Sequence, residues 1–135
     1  MGRWTPALLT GNAIVDAEHR ELIGLIDRLE LVGDGPDGDG VGAALDELTE
    51  YAFVHFQMEE KLMVRELYPS TAFEAHIAEH RALDRKTQEY VQAYSSGELT
   101  SVGPIVDFLY EWFAHHIAEV DAAMAEHVRK RHGSA

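Results

Sequence analysis

The sequence predicts an all-α protein: an antiparallel, up-down-up-down four-helix bundle entered by an extended N-terminal arm. Three observations carry this. Four long stretches repeat apolar residues at helical spacing. The segments between them are short and punctuated by Gly and Pro, and short connections make successive helices antiparallel neighbours. No hairpin signal and no alternating strand pattern interrupts them. With 135 residues and 46% hydrophobic composition, the chain has the length of one domain, 1–135, and enough apolar side chain for a core.

The arm, residues 1–15, carries Trp4, Leu8 and Leu9. Asp16 is the expected N-cap of a first helix over about 17–31, which places His19, Leu22, Ile23, Ile26 and Leu29 on one face. The run from Gly33 to Gly40 is a loop. It is acidic, but its Asp spacing does not match a calcium loop, and with Asp37 first the twelfth position is Leu48 where a Glu is needed. The second helix covers about 41–66 and stops ahead of Pro69. Thr71-x-x-Glu74 has the form of a capping box opening a third helix, about 72–95, which Gly97 ends. Pro104 suits the first turn of a fourth helix, about 104–130. Arg129, Lys130 and Arg131 close it, where cations complement the helix dipole.

Composition excludes several function classes. There is no cysteine, hence no disulfide, iron–sulfur cluster or thiolate zinc site. A net charge of −13 argues against nucleic acid and anionic membranes as partners. The first ten residues hold no signal-peptide apolar run, and no stretch approaches the roughly 20 apolar residues of a membrane span. A cytoplasmic protein with no membrane insertion is expected.

Function is concentrated in seven side chains. His55 and Glu59 are four apart, as are His76 and His80; His116 and Asp121 are five apart; His19 stands alone upstream. Imidazole and carboxylate suit iron, manganese or zinc, and seven such groups exceed what one tetrahedral ion uses. In the expected topology the starts of the first and third helices lie beside the ends of the second and fourth. All seven groups then fall within roughly 20 Å of one end, at ~1.5 Å per residue. Spacing of four stacks His55 on Glu59 and His76 on His80. Spacing of five turns Asp121 away from His116 by about 140° on an α-helix, an offset that two ions tolerate better than one. His116 shares a stripe with Leu109, Trp112, Phe113 and Val120, whereas His115 lies between Glu111 and Glu119 on the polar face. His115, His127 and His132 are therefore read as non-ligands. Glu59 is preferred to Glu60 because it pairs with His55 at four residues; Glu60, flanked by Phe53, Phe56, Val64 and Leu67, is the reserve. Burying these carboxylates with neither metal nor partner would cost several kcal/mol. No Glu-x-x-His pair of the ferritin-like type occurs, and no His-Glu-x-x-His protease motif.

Together these segments resemble the hemerythrins, specifically the single-domain bacterial ones, over nearly the whole chain. The resemblance rests on Trp4, Gly11-x-x-x-Val15-Asp16-x-x-His19, His55-Phe56-x-x-Glu59-Glu60, His76-x-x-Glu79-His80 and Trp112-x-x-x-His116-Ile117-x-x-x-Asp121. It implies a non-haem centre of two Fe ions with an oxo or hydroxo bridge. One iron would be held by His76, His80 and His116, the other by His19 and His55, with Glu59 and Asp121 bridging. O2 would bind at the two-histidine iron, with Ile23, Leu62 and Trp112 as candidate pocket walls. The implied function is reversible O2 binding for carriage, storage or sensing, the last needing a partner protein. The alternative is a di-iron oxidase or peroxidase acting on peroxide, O2 or NO. No acid or base beyond the ligands stands out in the sequence, which favours binding.

Overall fold

Four helical rods make up the computed structural model, which describes residues 4–33 and 40–133. They are α1 (Ala13–Gly33), α2 (Val41–Arg65), α3 (Ser70–Ser95) and a composite fourth rod. That rod runs from α4 (Gly103–His115) through a π-helical turn (His116–Asp121) into α5 (Ala122–Arg131). Among the described residues there is no strand. α1 packs on α2 and α4, and α3 packs on the same two, so consecutive helices are neighbours around a four-cornered bundle. Among the described residues no helix is long and apolar enough to cross a membrane.

Three local expectations are corrected. First, the arm is not extended throughout and α1 starts before residue 17. A 3-10 turn at Pro6–Leu8 buries Leu8, and the helix is under way at Ala13. Asn12, not Asp16, caps it: its Oδ1 accepts from the backbone N–H groups of Ile14 and Val15 at 3.1 Å each. Asp16 instead ties the arm down, accepting from Thr10 N at 2.8 Å, Thr10 Oγ1 at 2.7 Å and Gly11 N at 3.2 Å. Gly11 turns the chain there with φ +95°. Second, the Thr71–Glu74 capping box does not form. Pro69 is the residue before α3 and the helix starts at Ser70 without a side-chain cap, leaving Thr71 inside the first turn. Third, the fourth helix is interrupted by the π turn. The acidic run considered for calcium falls on residues 34–39, outside the described residues.

Burial is layered along the bundle. A large apolar cluster, including Leu22, Ile26, Leu48, Ile105 and Phe113, fills one part. A small cluster of Val15, Leu62, Met63 and Met124 fills another, with Phe73 against it. Each member of the small cluster lies three or four residues from one of the seven groups singled out in the sequence, on the same helix face. A polar layer therefore sits between two apolar ones.

Candidate metal centre

His19 is on α1, His55 and Glu59 on α2, His76 and His80 on α3, His116 and Asp121 on the π turn. All seven are at most 2% exposed. All five imidazoles present Nε2 to the two carboxylates, and each carboxylate divides its oxygens. Glu59 Oε2 lies 3.2 Å from His19 Nε2 and 2.9 Å from His55 Nε2. Glu59 Oε1 lies 3.4 Å from His76 Nε2 and 3.2 Å from His80 Nε2. Asp121 Oδ2 is 3.0 Å from His19 Nε2, while Oδ1 is 2.9 Å from His76 Nε2 and 3.1 Å from His116 Nε2. Two histidines thus gather at one edge of the carboxylate pair and three at the other.

The π turn makes this possible. Its i→i+5 hydrogen bonding, as in Ala122 N–H to Ile117 O, brings residues five apart onto one line. His116 and Asp121 therefore face the same way, and the 140° offset expected of an α-helix does not arise.

The donors have the geometry of a cation site. Glu59, His76, His80, His116 and Asp121 each offer an atom, all within 4.8 Å of one another; His19, His55, Glu59 and Asp121 do the same. Donors at about 2.0–2.2 Å from a first-row ion are separated by at most about 4.4 Å, close to this span. Glu59 Oε1, His76 Nε2 and Asp121 Oδ1 are buried without a hydrogen-bond partner despite their proximity. His80 Nε2 and His116 Nε2 approach to 3.2 Å, bringing together two ring nitrogens that both serve as lone-pair donors when neutral.

The electrostatics agree. Burial pulls the pKa of His19 and of His76 down, but Asp121 and Glu59 outweigh it and raise both to about 9. Burial pushes Glu59 up, and the four imidazoles around it, of His19, His55, His76 and His80, hold it well below the usual carboxylate range. Burial and the Glu59 charge push Asp121 up; His116, His19 and His76 more than reverse that. The carboxylates thus stay ionised and draw positive charge onto the imidazoles around them, and a metal cation competes with protons for those imidazole lone pairs.

Outer groups orient the imidazoles. His55 Nδ1 donates to Glu18 Oε1 at 2.7 Å, His80 Nδ1 to Glu60 Oε2 at 3.1 Å and His116 Nδ1 to Glu79 Oε1 at 2.8 Å. Each of these acids is next in sequence to one of the seven and points to a histidine on the following helix. Adjacent residues on a helix are about 100° apart, so the neighbour of an inward group faces the next helix. That adjacency was a readable signal for Glu18 and Glu79, which the sequence analysis did not use. Glu60 was considered as a bridging residue; it lies outside, on His80. Phe56 stacks on His80 at 3.9 Å and Trp112 on His116 at 4.5 Å. Trp112 thus stands on the three-histidine side. Ile23 belongs to the large apolar cluster and Leu62 to the small one. His115 is exposed, His127 Nε2 donates to the Glu66 carbonyl at 2.8 Å, and His132 Nε2 lies 2.8 Å from Glu66 Oε1. All three are outside both donor sets.

Comparison with known proteins gives the same answer. The family model for the hemerythrin HHE cation binding domain matches residues 10–128. The chain belongs to the hemerythrin family. Among relatives, a bacteriohemerythrin of Stenotrophomonas maltophilia is 30% identical over 126 residues, 93% of this chain and 80% of that one. A bacteriohemerythrin of Methylococcus capsulatus is 28% identical over 119 residues, 87% of this chain and 89% of that one. A crystal structure of wild-type hemerythrin superposes with TM-score 0.82 at 27% identity, covering 93% of this chain and 95% of that one. The bundle described above is the hemerythrin bundle, and its buried His/Glu/Asp cluster occupies the role that the family description assigns to cation binding.

Proposed function

We propose that this hemerythrin holds two iron ions and binds O2 reversibly. His76, His80 and His116 would hold one iron, His19 and His55 the other, and Glu59 and Asp121 would each bind both. The observation that supports this reading best is the division of carboxylate oxygens: one oxygen of each faces the two-histidine edge, the other the three-histidine edge. A bridging carboxylate needs that arrangement, and a single ion does not.

A reduced iron pair held by these residues would supply the two electrons that O2 binding calls for. The protein's contribution is orientation and dryness. Glu18, Glu60 and Glu79 fix three ring orientations from outside, and the stacked Phe56 and Trp112 hold two of the same rings. The apolar layers on either side keep bulk water from the inner face, and exclusion of water favours reversible binding over irreversible oxidation. Turnover as an oxidase or peroxidase would call for a proton donor facing the centre. The nearest acids are turned instead to the Nδ1 atoms. In vivo, a cytoplasmic O2 store or carrier delivering to a partner protein fits this reading.

The test is optical. The iron-loaded protein is reduced without air, exposed to O2 and then purged. A visible absorption band that comes with O2 and goes on purging is expected, with two irons per chain. Irreversible oxidation accompanied by turnover, or a chain that retains one zinc and shows no oxygen-dependent band, would refute the proposal.

A further inference from the structure

Outside the metal layer, a groove of about 930 Å³ lies between the start of α1, the second half of α2 and the end of α5. Its walls include Ile14, Val54, Met58, Leu62 and Val128. Ile14 is 70% exposed and Val54 57%, so large apolar side chains are left in water at its mouth. Its volume lies in the range of about 300–1,000 Å³ typical of small-molecule sites, which combine an apolar lining with few charged groups.

The charge of this groove opposes that of the chain. The protein carries 24 acidic and 11 basic residues. Lys61, Arg65, Arg131 and His132 line the groove, against one acid, Glu66. Glu66 is nearly buried and shared by Arg131 at 3.2 Å, His132 at 2.8 Å and Arg65 at 3.5 Å. The cations come from the C-terminal ends of α2 and α5, so they gather at one end. From Val54 to Arg65 is about 16 Å of helix at ~1.5 Å per residue.

We propose that this groove binds a monomeric amphipathic carboxylate, its alkyl chain along Val54, Met58 and Leu62 and its head at Lys61, Arg65 and Arg131. Charge complementarity selects an anion, and the guanidinium forks suit a carboxylate. The apolar walls select an alkyl chain over a peptide, whose backbone N–H and C=O groups would need partners. The concavity selects a single molecule over a membrane, which needs protruding apolar groups. Because Leu62 is also in the small apolar cluster beside the metal layer, an occupant would sit one side-chain layer from the metal layer. The site does not depend on the iron assignment.

The experiment is calorimetric titration of the metal-loaded protein with decanoate below its micelle concentration, with decanol and decyltrimethylammonium as probes of charge. Saturable binding of decanoate, at least about tenfold tighter than decanol and absent for the cation, is expected. Lys61→Glu should weaken decanoate about tenfold or more, and Val54→Glu should do likewise, both with unchanged Tm and metal content. Equal affinity for decanol, an unaffected charge-reversal variant, or binding only to anionic phospholipid vesicles would overturn the proposal.

Discussion

Glu18 offers the sharpest test of how the outer acids support the metal centre. It is 29% exposed, sits on α1 and accepts from His55 Nδ1 at 2.7 Å, the shortest of the three outer contacts. Two substitutions separate its charge from its hydrogen bond. Glu18→Gln keeps an acceptor oxygen and removes the charge; Glu18→Ala removes both. Loss of such a partner costs about 10–100-fold in metal affinity, or about 1.4–2.7 kcal/mol. Partial exposure screens the charge and places Glu18→Gln at the lower end, near tenfold. Glu18→Ala also frees the ring of His55, one of only two histidines at its edge, and belongs near the upper end. The assay is competition between the protein and a chelator of known affinity, with Co²⁺ or Fe²⁺, following helix content to show that the fold persists. The reasoning is refuted if both variants bind as tightly as the parent, or if the Gln variant is the weaker.

Three further outcomes are expected. His55→Ala and Glu59→Ala should lose metal on purification while His115→Ala retains it, by elemental analysis; retention without Glu59 and loss without Glu60 would reassign the bridge. Gly33→Ala should destabilise by about 1–3 kcal/mol in denaturant melts, because its Cβ would lie 2.0 Å from Val102 Cγ2, and Val102→Ala should recover most of that; a stabilised Gly33→Ala, as helix propensity alone predicts, would contradict this contact. With metal stripped, His19 and His76 keep folded pKa values of about 9 against 6.5 unfolded. Their raised values contribute stability that is complete below pH 6.5 and lost as pH rises through 9. Calorimetric Tm of the stripped protein should therefore fall across that window, and a rise would show that those protons are not held as described.

Much of the centre was legible because helical periodicity is local. His55 with Glu59 and His76 with His80 need only a regular helix to face inward together, and both pairs do. The choice of His116 over His115 followed from neighbours one turn away, and the buried and exposed rings agree with it. What was missed depends on tertiary structure or on a departure from regularity. The capping box at Thr71 does not form because α3 starts two residues earlier than that box requires, at Ser70 directly after Pro69, which leaves Thr71 inside the first turn. Asp16 looked like a cap because its role as an acceptor is real; its donors are in the arm, at Thr10 and Gly11. For the outer acids the sequence shows only their position beside an inward-facing group; which histidine each one holds is set by the neighbouring helix.

The π turn is the most instructive departure. A spacing of five between His116 and Asp121 argued for two ions only on the assumption of a regular α-helix, where the two would diverge. The turn removes that divergence, so the spacing by itself no longer counts ions. The support moves to Glu59 and Asp121. Both use one oxygen toward His19 and the other toward His76, although they reach the centre from different rods. A carboxylate serving one ion would turn both oxygens to it or leave one to a hydrogen-bond donor. Here Glu59 Oε1 and Asp121 Oδ1 face only imidazole Nε2 atoms on the three-histidine side, those of His76, His80 and His116. Two carboxylates on different rods that each divide their oxygens between the three-histidine and two-histidine sides are what the proposed pair of ions requires.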